Sequence, residues 1–143
     1  MPAGLDFRSV GPADIDLLAE IDPRIAPDPA RRAHMVHLLD SGMSWAALQG
    51  GEGVGFAIVT RHFYALPLVD LLFVAEPHRR GGVGRALMDH CEASHDTDRM
   101  FTSTNESNLP MRALLAKAGW RPAGVVNYLD PGDPELIFVK LRG

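Results

Sequence analysis

The segment Val74-Ala75-Glu76-Pro77-His78-Arg79-Arg80-Gly81-Gly82-Val83-Gly84-Arg85 constrains this chain more than any other. It leaves an apolar run, passes three glycines in four positions, and enters a stretch where Ala86, Leu87, Cys91 and Ala93 recur at helical spacing. A strand feeds a helix through a glycine-rich loop. Such a loop suits a phosphate, because glycines let the backbone approach an anion without Cβ interference and successive N–H groups converge on its oxygens. The helix amino terminus adds about half a positive charge. Arg79, Arg80 and Arg85 contribute cationic donors. An isolated glycine pair would equally make an ordinary turn with solvated arginines, so the surrounding elements must decide.

Two other phosphate loops fail on the same residues. A Walker loop needs lysine and then serine or threonine after its last glycine, but Arg85 and Ala86 follow Gly84. A dinucleotide fingerprint needs a third glycine three residues after the second, where Leu87 stands, and the loop lies mid-chain after an antiparallel meander.

The remaining pattern is that of one α/β domain over residues 1–143, since 143 residues with 46% hydrophobic content suffice for one two-layer core. Leu5, Phe7 and Val10 suggest a first strand. Gly11-Pro12 and Asp14 then open a helix striped by Ile15, Leu17, Leu18 and Ile21, and Ala33 to Leu39 form a second helix. Three strands follow at 45–49, 54–62 and 66–75, then the helix from Val83, a brief strand at 100–104 and a helix at 109–118 closed by Gly119. Two final strands are expected at 120–129 and 136–141. The order is β-α-α-β-β-β-α-β-α-β-β. Helices between strands three to five imply a parallel part with right-handed crossovers, and the hairpins imply antiparallel pairing, giving a mixed, mainly antiparallel central sheet flanked by helices.

In this context Arg79-x-x-Gly82-x-Gly84, preceded five residues earlier by Val74, resembles motif A of the Gcn5-related N-acetyltransferases (GNAT). The element order is similar to that family nearly end to end. Asn108 to Trp120, with Asn108 opening a helix and Gly119-Trp120 closing it, resembles its motif B. The resemblance implies acetyl-CoA as co-substrate. Its pantetheine arm would lie on the backbone of Leu72, Phe73 and Val74, its pyrophosphate in the loop Arg79, Arg80, Gly81, Gly82, Val83, Gly84 and Arg85, with Asn108 beside the pantetheine. It also implies that the fourth and fifth strands splay, here between Val74 and Thr104.

Acyl transfer to an amine needs a neutral amine, a polarised carbonyl and a leaving thiolate. An alkylamine with pKa near 10 is about a thousandfold protonated at neutral pH, so a carboxylate or water chain must take a proton. Asp70 is the candidate base: an acid inside an apolar strand, sharing a face with Leu72 and Val74 if alternation holds. A solvent-facing edge carboxylate is the alternative. A backbone N–H near Phe73 or Val74 would polarise the carbonyl. Many members of the resembled family carry a tyrosine seven residues after the motif B asparagine, where this chain has Leu115. The ribosomal-protein alanine acetyltransferases among them carry a glutamate where Ser103 stands. Tyr128 is a substitute acid, with a tyrosine half-buried against the sheet as the alternative. Ser107 and Asn108 suit helix capping as well as acceptor orientation.

The formal charge of −4, with 14 basic and 18 acidic residues interspersed, provides no global field for nucleic acid or anionic membrane. The apolar run from Leu66 is broken by Asp70 and is far short of the ~20 residues that span a bilayer. One cysteine and no apparent leader point to the cytoplasm. His34 and His37, or Cys91 and His95, share helix faces without further ligands at usual spacing, so no metal is expected. The expected function is an N-acetyltransferase using acetyl-CoA and a primary amine of a small molecule, peptide or protein, by direct attack in a ternary complex. The alternative is a catalytically silent acyl-CoA sensor, supported by Leu115 and Ser103. The chain is expected to act as a monomer or homodimer.

Overall fold

The computed structural model describes residues 4–142; Met1, Pro2, Ala3 and Gly143, within the expected 1–143 span, lie outside the described residues. In chain order they form β1 (Leu5–Val10), a 3-10 turn (Pro12–Asp14) running into α1 (Ile15–Ile21), α2 (Pro29–Leu39), β2 (Ser44–Gln49), β3 (Glu52–Phe63) and β4 (Leu66–Val74). A 3-10 turn (Glu76–His78), α3 (Val83–Ser94), β5 (Arg99–Asn105), α4 (Leu109–Lys117), β6 (Arg121–Val126) and β7 (Glu135–Leu141) follow. The element order is the one expected.

Local chemistry sets the helix starts. Asp28 caps α2 by accepting from the Arg31 N–H at 3.1 Å, with Pro29 at the first helical position, where its missing N–H costs nothing. Asn108 caps α4 by accepting from the Met111 N–H at 3.2 Å.

The seven strands form one sheet in the order β1-β2-β3-β4-β5-β7-β6. The parallel part expected across strands three to five shrinks to the single pair β4–β5. β3 and β4 form a hairpin, with a two-residue turn at Tyr64-Ala65 between paired Phe63 and Leu66. β5 and β6, joined through α4, are separated by β7, which pairs antiparallel with both. A mixed, mostly antiparallel sheet results.

Helices cover both faces of the buried strand β3. On one face Ala57 and Val59 pack with Val83, Leu87, Met88 and Cys91 of α3 and Leu115 of α4. On the other, Phe56 and Ile58 pack with Leu18 and Ile21 of α1 and Met35, Leu38 and Leu39 of α2. Helix α3 sits close because β3 carries Gly55: a Cβ there would lie 3.1 Å from Leu87 Cδ1 and 3.2 Å from Val83 Cγ1.

The last hairpin departs from expectation. β6 ends at Val126, not Leu129, and Tyr128 lies in the connecting turn with φ 74°. Asn105 Nδ2 donates to Asp130 Oδ2 at 2.9 Å, and Ser107 donates through N–H and Oγ to Asp133 at 3.0 and 2.6 Å. These bonds draw the chain off the sheet toward the β5–α4 loop.

Candidate active site

The site begins where two strands part. β4 and β5 pair only at Leu68–Phe101 and Val69–Thr102, and beyond these residues they separate. At that point β4 carries a bulge: Ile58 pairs with Leu71 and Val59 with Val69, leaving Asp70 without a register partner. The bulge also shifts the strand's faces. Val69, Leu72 and Val74 pack toward α3, whereas Leu71, Phe73 and Ala75 pack toward α1 and α2. Strict alternation, which would put Asp70 on the face of Leu72 and Val74, therefore fails. Asp70 is exposed and accepts a long 3.4 Å hydrogen bond from Thr60 Oγ1.

On the α3 side, the splay opens a cleft of about 490 Å³. Leu72 and Val74 line it from β4, Arg79, Arg80, Gly82, Val83, Gly84 and Arg85 from the loop, and Asn108 and Met111 from α4. Nearly all the predicted cofactor residues thus meet around one cavity. Gly81 is exposed beside this lining, and the Phe73 side chain turns to the opposite face.

The loop's geometry depends on its glycines. Gly82 is the residue before α3, in the left-handed region at φ 88°, and no side chain caps the helix. The N–H groups of Val83, Gly84 and Arg85 have no acceptor within the helix and are available to an anion. Gly84 borders the cavity: a Cβ there would lie 3.4 Å from Leu114 Cδ1 and 3.6 Å from Val74 Cγ2, so a larger side chain would fill the cleft.

The three arginines have separate roles. Arg79 Nε donates to the Val74 carbonyl at 2.9 Å, bracing the end of β4. Arg85 pairs with Asp89 one turn along α3 at 3.1 Å. Arg80, exposed with φ 66°, has no ion-pair partner among the described residues. Asn108 lines the cavity while its side chain caps α4.

The opposite face of β4 holds features that sequence reasoning missed. Asp22, only 1% exposed, accepts from Arg24 Nε at 2.9 Å, Nη2 at 2.8 Å and N–H at 3.0 Å. Burial opposes ionisation of Asp22, but the hydrogen bonds and charge of Arg24 outweigh it and hold the carboxyl below its usual pKa. Thus fixed, the Arg24 guanidinium lies 4.8 Å from the Phe73 ring centre, and that of Arg79 lies 5.4 Å away. These residues line a second cleft of about 530 Å³, back to back with the first across β4. The only sequence signal was an acid followed by proline at the end of α1.

The candidate acids fare differently. Leu115, at the position of the family's tyrosine, is fully buried in the core and brings no proton. Tyr128 is 96% exposed in its turn, neither on a strand nor half-buried. Burial pushes the Cys91 thiol up to about 12, which leaves it unreactive at neutral pH. Among the described residues no group of three metal-ligating side chains exists, and no helix is long and apolar enough to cross a membrane.

The sequence model of the Acetyltransferase (GNAT) family matches residues 14–120. A mycothiol acetyltransferase from Cellulomonas flavigena is 35% identical over 118 residues, covering 74% of this chain and 32% of that protein, so the chain spans about a third of the curated relative's length. A GNAT-family acetyltransferase from Bacillus cereus superposes with TM-score 0.85 at 28% identity, covering 96% of this chain and 97% of that one. The ribosomal-protein-S18-alanine N-acetyltransferase of Escherichia coli shares the fold, with TM-score 0.78 at 19% identity over 94% of this chain and 92% of its own. With three quarters of its length matched by the family model and both motif regions gathered at one cleft, the chain belongs to the GNAT family of acetyltransferases.

Proposed function

We propose that this chain is an N-acetyltransferase that moves an acetyl group from acetyl-CoA to a primary amine of a small molecule, peptide or protein. The observation that carries this reading is the cleft in which Leu72, Val74, the uncapped start of α3 and Asn108 converge. The first-turn N–H groups of α3, with Arg80, suit a pyrophosphate. The apolar side chains of Leu72, Val74, Met111 and Leu114 suit a pantetheine arm running toward the splay.

The bound donor supplies a thioester carbonyl. Strand β4 would hold it at the point where its backbone leaves β5, so that N–H groups near Phe73 or Val74 polarise it. The acceptor would approach from the α1 and α2 side, the side of Phe73 and of Thr60, to which Asp70 bonds. Asp70, directly or through water, would remove the ammonium proton. The amine lone pair then forms the C–N bond as the C–S bond breaks and its electron pair leaves on sulfur. Leu115 supplies no acid, and Tyr128 faces solvent, so the second proton, which the attacking nitrogen sheds as the amide forms, would pass through water to the departing thiolate. A thiol pKa near 8.5 makes it a tolerable leaving group.

The buried Leu115 also favours a second reading, a catalytically silent acyl-CoA sensor. Calorimetric titration with acetyl-CoA, followed by a thiol-release screen against amines, tests both. Micromolar binding lost in Gly84→Glu, with thiol release by at least one amine class, supports the enzyme. Binding without any turnover supports the sensor, and no binding to folded protein removes both.

A further inference from the structure

Resting on the acetyl-transfer reading, we infer that the acceptor amine carries a carboxylate several bonds from its nitrogen, and that Arg24 and Arg79 hold this carboxylate beside Phe73 in the second cleft. The site is built from a buried acid upward. Asp22, 1% exposed, takes up one edge of the Arg24 guanidinium, accepting from Nε at 2.9 Å and Nη2 at 2.8 Å. That leaves Nη1 without an acceptor among the described residues, on a side chain 53% exposed. Arg79 gives its Nε to the Val74 carbonyl at 2.9 Å, and its two terminal nitrogens likewise have no acceptor among the described residues. The two guanidinium groups stand 4.8 and 5.4 Å from the centre of the same Phe73 ring. That ring is fixed from the core by Phe56, with ring centres 5.6 Å apart. Burying a carboxylate to hold a half-exposed cation is a poor way to stabilise a fold, but an effective way to fix where the cation's unused edge points.

The rest of the cleft decides which ligand fits. Glu20, Glu52 and Glu76 also line it, yet none pairs with either arginine among the described residues. All three are exposed, where water and salt screen their charge. The unused donors at Phe73 are guanidinium N–H groups, whose planar geometry matches a carboxylate. Two like charges beside one ring repel, and a bound carboxylate relieves that repulsion. The distance to the chemistry sets the ligand's length. Asp70 and the start of the splay lie three residues back along β4 from Phe73, roughly 10 Å at strand spacing. An α-amino acid, with nitrogen and carboxylate on one carbon, is too short to join the two points. An ω-amino acid such as ε-aminocaproate, or the side-chain amine of free lysine, has the reach. Arg24 is then a specificity-determining residue and Asp22 the positioning residue behind it.

Thiol-release kinetics of the full chain with ε-aminocaproate, hexylamine and hexamethylenediamine test this. Wild type should favour ε-aminocaproate over hexylamine by roughly tenfold or more in kcat/KM, the worth of hydrogen bonds between charged groups. Arg24→Gln, a change on a half-exposed side chain, should abolish that preference by raising KM for ε-aminocaproate with kcat unchanged. Hexylamine kinetics should stay as they are, which a general loss of structure would not allow. Asp22→Asn should act in the same direction and more weakly, since Arg24 remains but is no longer held. Calorimetric titration of the CoA-loaded protein with ε-aminocaproate reads the site without turnover. Binding that is lost in Arg24→Gln, even with no thiol release by any amine, upholds the carboxylate site and sinks the transferase reading alone. Turnover equal with hexylamine, or faster with hexamethylenediamine, leaves the transferase reading and overturns the site. So does a preference for ε-aminocaproate that survives Arg24→Gln. Neither binding nor turnover overturns both.

Discussion

Thr102 Oγ1 donates a 2.9 Å hydrogen bond to the carbonyl of Val69, and neither residue is more than 2% exposed. Val69 and Thr102 are also the last residues at which β4 and β5 pair. One residue further along β4, Asp70 is bulged out of register and the cleft begins. The side-chain bond therefore closes the apex of the splay.

Thr102→Val, nearly isosteric, should lower stability by about 0.5–1.5 kcal/mol, because the buried hydrogen bond from Thr102 Oγ1 to the Val69 carbonyl is lost. Thr102→Ser should recover most of that loss. Urea denaturation of the three proteins reads the difference, and equal midpoints would show that water replaces the hydroxyl.

Asp70→Asn should lower kcat/KM about a hundredfold or more while leaving acetyl-CoA affinity unchanged, since Asp70 is outside the donor cleft. The loss should shrink as pH rises and more acceptor is already neutral. Steady-state kinetics against pH, with calorimetry for the donor, separates this from a change in fold.

The Tyr64-Ala65 turn holds two non-glycine residues at φ 54° and 61°. A two-residue hairpin with both centres left-handed favours Asn-Gly. Replacing the pair with Asn-Gly should stabilise the protein by about 1–2 kcal/mol, the left-handed cost recovered at Ala65 being the larger share. Thermal unfolding measures it; exposure of the Tyr64 ring, at 84%, means little packing is lost.

His90 stacks on Phe7 with ring centres 4.3 Å apart and meets Trp45 edge-on at 4.3 Å. Its Nε2 is buried without a hydrogen-bond partner, and burial lowers its pKa below the usual 6.5. The unfolded chain therefore takes up the proton first. Stability from this residue is fully present above about pH 6.5 and declines as pH falls from there toward the lower folded pKa. His95 acts in the same direction, through burial first and Arg142 next. Urea midpoints between about pH 7.5 and 5 should fall for wild type and fall less steeply for His90→Leu. Parallel slopes would mean that His90 is solvated in solution.

The sequence alone was enough to read the elements, their order and the glycine-rich loop. Periodicity and glycine chemistry are local properties, written within a dozen residues, so Gly82, Gly84 and the cap Asn108 were legible before any packing was known. Leu72 and Val74, named through the motif, line the cleft beside that loop. What it did not carry was anything set by the pairing of distant segments. Alternation put Asp70 with Leu72 and Val74, but the bulge depends on how β4 registers against β3, and it changed which face each residue meets. A strand was expected through Tyr128, yet Asp130 and Asp133 bind Asn105 and Ser107 across the β5–α4 loop and pull that segment into a turn. The parallel pairing contracted to β4–β5 because β7 inserts beside β5, a choice made by the whole sheet. Asp22, Arg24 and Phe73 become one unit only when α1 packs on β4, more than forty residues later in the chain. Local chemistry determined where the glycine-rich loop turns into α3; long-range registry decided how the strands part and which residues face the opening.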